Sequence, residues 1–255
     1  MSDVITRPTT RDEAWRYADA QFLAAADPAR LTHWYEHEVA PGEIERGFAV
    51  IDAAKLDGST VDRLRVHVGA GGRYEHFLIN AGGPYSRCEL DVTLEEGAHF
   101  ELGGVTLGGG DTRQEIVSRV NHAAPECTSN QVIRSVQWGR STGNFLGRVE
   151  IPRDSQLVDA AQNFRAILLE AGATANAKPE LEIFADDVKA AHGAAIGALD
   201  EKAGFYMASR GIPPEAARRL LVRAFVADAF AAIGEAELQE DMLQQALQVL
   251  ERAVL

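Results

Sequence analysis

The middle of this chain is punctuated by glycine in a way that few folds accommodate. Between Gly58 and Gly147 lie 15 of its 23 glycines, and between them run short segments of alternating apolar and polar residues. Leu64-Arg-Val66-His-Val68, Leu90-Asp-Val92-Thr-Leu94, Phe100-Glu-Leu102, Glu115-Ile-Val117, Val132-Ile-Arg-Ser-Val136 and Phe145-Leu-Gly-Arg-Val149-Glu-Ile151 are the clearest. A period of two places apolar side chains on one face of an extended strand, whereas a helix needs spacings of three and four. Glycine supplies the backbone angles that tight corners demand. Strands of this kind, continuing through 157–177 and 181–184, predict a sandwich, a jelly roll or a stacked β-solenoid. Periodicity alone does not choose among the three.

The flanks read as helix. Thr9 or Thr10, the latter with Glu13 three residues on, is placed to cap a helix over Arg11–Leu23, and Pro28–Val39 predicts a second short helix stopped by Pro41-Gly42. At the other end, Glu201–Ser209 predicts a helix, and Pro213 or Pro214 opens another at a position where a missing amide proton costs nothing. Ala216, Leu220, Leu221, Ala224, Phe225, Ala227 and Phe230 give that helix one apolar face. Leu238, Met242, Leu243, Ala246, Leu247 and Leu250 give a third helix another. Such faces dock either on the β region or on a partner. The organisation predicted is 1–57 helical and loop-like, 58–200 β core, and 201–255 a helical domain.

Charge and motifs exclude several functions. Lys and Arg number 25 against 38 Asp and Glu, a formal net charge of −13, which disfavours a nucleic-acid backbone as ligand. No apolar run is long enough to span a bilayer, and the first residues lack a signal-peptide pattern, so a cytoplasmic location is expected. Cys88 and Cys127 are too few for a disulfide framework. His33-Trp-Tyr-Glu36-His37 matches the H-x-x-E-H zinc-peptidase pattern, but the helix would be short and no third-ligand segment follows. His67, His76, His99 and His122 raise the alternative of a metal-dependent β-fold enzyme, although no His-x-His pair occurs. The Gly69–Gly72 and Gly108–Gly110 runs lack the Gly-Lys-Ser/Thr ending that cradles phosphate, and no Gly-x-Ser-x-Gly elbow is present.

The densest local signal is Pro179-Glu-Leu-Glu-Ile-Phe-Ala-Asp186-Asp187-Val-Lys-Ala190-Ala-His192-Gly-Ala-Ala-Ile-Gly197, followed by Phe205-Tyr-Met-Ala-Ser-Arg-Gly-Ile212. It closely resembles the signature of the SufB/SufD family of iron–sulfur cluster assembly proteins. Asp159-Ala-Ala-Gln162-Asn163 and Phe145-Leu-Gly147 extend the resemblance, and Thr10-Arg-Asp-Glu-Ala-Trp15 is similar to the helical entry of SufD in particular. The resemblance implies a right-handed parallel β-helix core with a C-terminal α-helical domain. It implies a non-catalytic scaffold that pairs with SufB through the β-helix and with the SufC ATPase through the C-terminal helices. It further implies no tightly bound cofactor in the isolated chain, a transient iron–sulfur cluster in the complex, and room for a flavin there. A homodimer meeting at the strand edges near His192 is the rival assembly.

Carried over by residue, His192 matches the family histidine at the SufB–SufD interface, with iron as its implied ligand. Asp186 and Asp187 are then candidate outer hydrogen-bond acceptors for that imidazole. Ala190 stands where the family commonly has cysteine, so the sulfur donor is expected from SufB. Arg218, Leu221, Phe225 and Phe230 become the expected SufC contact.

Overall fold

The computed structural model describes residues 7–55 and 58–253. Of the three architectures the periodicity allows, it is the solenoid. Twelve strands form two parallel six-stranded sheets, and each turn contributes one strand to each sheet. One sheet contains β1 (Tyr35–Val39), β3 (Thr60–Val68), β5 (Tyr85–Leu94), β7 (Arg113–His122), β9 (Thr142–Ile151) and β11 (Thr174–Ile183), in that order. The other contains β2 (Ile44–Asp52), β4 (Arg73–Ala81), β6 (His99–Gly108), β8 (Thr128–Gln137), β10 (Asp159–Leu168) and β12 (Lys189–Ala198). The register is unbroken, so like positions stack turn upon turn: Phe100, Ser129 and Ala160, for example, lie in one column.

The corners explain the glycines. Gly42, Gly71 and Gly97 occupy one stacked corner with φ of +74°, +64° and +66°. Each donates its N–H to the carbonyl one turn up: Gly42 to Ala70, Gly71 to Glu96 and Gly97 to Pro125. The left-handed conformation is cheap for glycine alone. In the next two turns the same corner is made by Glu126 and Leu157, both at φ +61°, with N–H groups donated to Gln156 and Asp187. The ladder imposes the corner even where no glycine relieves it.

Strands begin earlier than the sequence predicts. His33 ends a short helix, α2 (Pro28–Thr32), and Tyr35–Val39 is strand rather than helix, paired with Leu64–Val68. Pro41-Gly42 is accordingly a solenoid corner. The N-terminal region therefore contributes β1 and β2 to the β core, which starts at Tyr35 instead of residue 58. The longer helix expected over Arg11–Leu23 is a single 3-10 turn, Glu13–Trp15, followed by α1 (Ala20–Ala25), capped by the Asp19 carboxylate on the Phe22 N–H. Helices at the far end are α3 (Glu201–Ser209), α4 (Pro214–Ala227) and α5 (Ala236–Ala253).

Both outer faces of the solenoid are covered in its middle. Trp15, Leu23 and Leu31 pack with Tyr85 on one sheet. Beneath them Arg87, fully buried, bonds Glu89 at 3.1 Å and Glu115 at 3.0 Å, with its guanidinium 4.0 Å from the Trp15 ring. Burial opposes the Arg87 charge, and the two carboxylates outweigh it, holding the guanidinium above its ordinary range. On the other sheet Val222, Val226, Phe230, Leu243, Leu247 and Leu250 pack against Phe77, Ile79, Val105, Leu107 and Val136. Gly103 on β6 permits this docking, because a Cβ there would collide with the Ala229 carbonyl. Arg134 on β8 pairs with Asp228 to fasten the same turn.

Candidate functional site

The final turn, like the first, ends a sheet on each side: among the described residues β11 pairs only with β9, and β12 only with β10, so each presents one free backbone edge. Lys189 donates its N–H to Val158 at 2.8 Å. By the alternation of a parallel ladder, the N–H groups of Ala190, His192, Ala194 and Ile196 then point along the free edge. An unpaired run of this kind is a template for another strand.

His192 lies at the centre of that edge. It is in register with Gln162 of β10, which faces the solenoid interior, so the imidazole belongs to the inward column. Ala190, two residues before it on the same face, packs against the core between the sheets. His192 is nevertheless exposed, and among the described residues no further turn lies above it. In the same final turn Ile183, Phe184 and Ile196 are 40%, 60% and 45% exposed.

Asp186 and Asp187 occupy the corner before β12 and are both exposed. The Asp187 N–H donates to Gln156 Oε1 at 2.9 Å, and its carbonyl accepts from Leu157. These are corner-forming bonds. His192 is three residues into the strand beyond Lys189, about 10 Å along an extended chain.

The other candidate ligands sit elsewhere. Both cysteines are buried: burial pushes the Cys88 thiol up, and Cys127 likewise, with its Sγ–H 3.0 Å from the Glu95 carbonyl. Neither is poised as a thiolate. His76 bonds the Tyr74 hydroxyl at 3.0 Å and His122 the Ser129 hydroxyl at 3.0 Å. Burial lowers the pKa of each to about 4, keeping both neutral. His99 bonds Thr128 at 2.7 Å, and His67 lies 3.6 Å from Glu95. His33 and His37 are on different elements, with His37 paired to Glu45 at 3.0 Å. Among the described residues no three of His, Cys, Asp and Glu converge as a metal site, which leaves the metal-enzyme alternative without a ligand set there.

The helical face also needs revision. Phe230 is completely buried against the solenoid and is not available to a partner. Phe225 is half-buried on the same core, with Arg134 5.8 Å from its ring, while Leu221 and Arg218 are half-buried on α4. The large exposed apolar groups of these helices are instead Phe205 and Tyr206 on α3, 78% and 59% exposed, Leu220 on α4 and Leu238 on α5. Helical periodicity identifies an apolar face but not which body covers it, so the sequence assigned Phe230 to the wrong side.

Comparison with known proteins converges on one family. Residues 47–225 match the family described as SUF system FeS cluster assembly, SufBD core domain. The iron–sulfur cluster assembly SufBD family protein slr0076 of Synechocystis is 34% identical over 68% of this chain and 38% of its own length. Escherichia coli iron–sulfur cluster assembly protein SufD is 26% identical over 86% of this chain and 59% of its own. The chloroplastic protein ABCI7 of Arabidopsis thaliana is 36% identical over 60% of this chain and 32% of its own. This chain thus spans between about a third and three fifths of these relatives. With a parallel solenoid and a C-terminal helical module behind the match, the chain belongs to the SufB/SufD family of iron–sulfur cluster assembly proteins and is most like SufD.

Proposed function

We propose that this chain is a SufD-like scaffold subunit, not itself catalytic, that works in the cytoplasm in a SufB–SufC–SufD assembly. The observation that supports this most is the free edge of β12 with His192 exposed at its centre. SufB adds strands to that edge and brings the thiolate that Ala190 does not supply, and His192 offers an imidazole nitrogen to iron or to the nascent cluster. The cluster is cargo passing through the assembly, and a flavin, where one is used, belongs to the assembly. SufC docks on the exposed Phe205, Tyr206 and Leu220, with Arg218 and Leu221 beside them. The net charge of −13 accords with protein partners rather than nucleic acid.

The test is anaerobic reconstitution of the co-purified complex with iron and sulfide. His192→Ala is expected to lower cluster absorbance several-fold with the complex intact, and Phe205→Asp to reduce SufC recovery. Equal cluster yield in parent and His192→Ala removes His192 from the mechanism.

A further inference from the structure

One turn beneath His192, the interior holds an amide with nothing to bond. Gln162 is only 2% exposed, yet neither Oε1 nor Nε2 has a hydrogen-bond partner. Each orphaned buried polar atom costs about 1–3 kcal/mol, so an apolar side chain of the same length would fold more readily at this position. Gly147 on the opposite sheet leaves space that the amide shares with the Phe145 ring: a Cβ there would lie 2.5 Å from Phe145 Cζ and 2.9 Å from Gln162 Nε2. Beside it the Phe145 and Phe164 rings stack with centroids 5.6 Å apart.

Gln162 also sits within a column. Its register partner on β8 is Gln131, whose Oε1 accepts from the Ser118 hydroxyl at 2.6 Å and whose Nε2 is unpaired. Its register partner on β12 is His192. In-register side chains on one face of neighbouring strands are about 4.8 Å apart at the backbone, a separation that a rotation of the Gln162 side chain spans. The column runs from a satisfied end at Ser118 to an exposed imidazole, with the unmet amide between. An imidazole that binds through one nitrogen is ordinarily fixed by a hydrogen bond at the other.

We propose that Gln162 is a positioning residue for His192: its carboxamide, turned from the space beside Gly147 toward β12, hydrogen-bonds the inner ring nitrogen and sets which nitrogen carries the proton. The inference deepens the proposed role of His192 and rests on it for its biological meaning. The hydrogen bond itself is a property of this chain alone. The exposed carboxylates of Asp186 and Asp187 are not needed for it.

The test reads the ring directly. Nitrogen-15 chemical shifts of the His192 imidazole report its neutral tautomers in the isolated full chain, in the parent and in Gln162→Met and Gln162→Glu. Gln162→Met is expected to change the tautomer ratio about fivefold, the size one hydrogen bond supports, while the melting temperature stays level or rises. Gln162→Glu, an acceptor at both oxygens, is expected to drive the ring toward the tautomer protonated on its inner nitrogen. Identical ring shifts in all three proteins overturn the proposal and leave Gln162 as a partner of Gln131 only. A lower melting temperature of Gln162→Met with unchanged ring shifts overturns it equally. Since no cluster is involved, this result is independent of whether His192→Ala lowers cluster yield.

Discussion

β8 and β12 belong to the same sheet, two turns apart, and have opposite fates. β8 is paired on both sides, by β6 and β10, and its outer face is covered by the turn containing Asp228 and Phe230. Val132, Ile133 and Val136 give it side chains worth burying. β12 is Lys-Ala-Ala-His-Gly-Ala-Ala-Ile-Gly-Ala, paired on one side only and mostly exposed. Small side chains bury little area and leave the backbone accessible, so such a strand contributes little cohesion and much opportunity for pairing. In the proposed assembly the middle of the solenoid carries the stability, and its last turn carries the recognition.

The sharpest way to break that contrast is in the middle. Phe230→Ala is expected to cost about 3–5 kcal/mol, the range for emptying an aromatic site in a packed core, with the loss read from urea denaturation. Ile196→Ala on β12 is expected to stay within about 0.5 kcal/mol, as an exposed position should. Similar losses at both positions would mean that the last turn is as integrated as the fourth.

Acid provides the next largest effect. His76 and His122 are buried and neutral, with pKa values of about 4 against an ordinary 6.5. Between those values the unfolded chain takes up protons that the folded chain refuses. Stability contributed by neutral burial is thus complete above pH 6.5 and falls away as pH drops toward 4, by up to about 3 kcal/mol for each ring. Comparing urea midpoints at pH 7.5 and 4.5 in the parent and in His122→Gln isolates one share, since the variant should lose less on acidification. Equal losses would show that His122 is protonated in the folded state.

A smaller effect sharpens the comparison at the boundary between the two regions. Leu157 is 56% exposed and held in the left-handed corner that glycine occupies in the first three turns. Leu157→Gly should stabilise the chain by about 1 kcal/mol, the strain released exceeding the flexibility added. A loss of stability would mean that the Leu157 side chain, rather than the ladder bond to Asp187, sets the corner.

Much of this architecture was legible in the residues. Alternation and glycine corners announced recurring strands without choosing a solenoid over a sandwich or jelly roll, and the stretch around His192 announced the family and with it the β-helix. β1 was missed because Tyr-Glu-His-Glu-Val is charged and aromatic, and its strand character comes from pairing with β3 rather than from its own pattern. The corners at Glu126 and Leu157 carry no glycine to mark them. His192 was legible as a candidate because it lies in a motif. The unmet amide of Gln162 was not, because hydrogen-bond satisfaction is a property of three-dimensional neighbours. Phe230 and Leu220 lie on one predicted face, and only packing separates the buried ring from the exposed leucine.

The central claim is that the free backbone edge of β12 receives another chain. Ala194 is exposed, and the ladder alternation points its N–H along that edge, so Ala194→Pro removes an edge donor without touching the bonds to β10. Co-expression with the proposed SufB partner and measurement of the recovered complex by size-exclusion chromatography test it directly. The account predicts a folded protein with a melting temperature near that of the parent and a large loss of the complex. Undiminished recovery of the complex would contradict it.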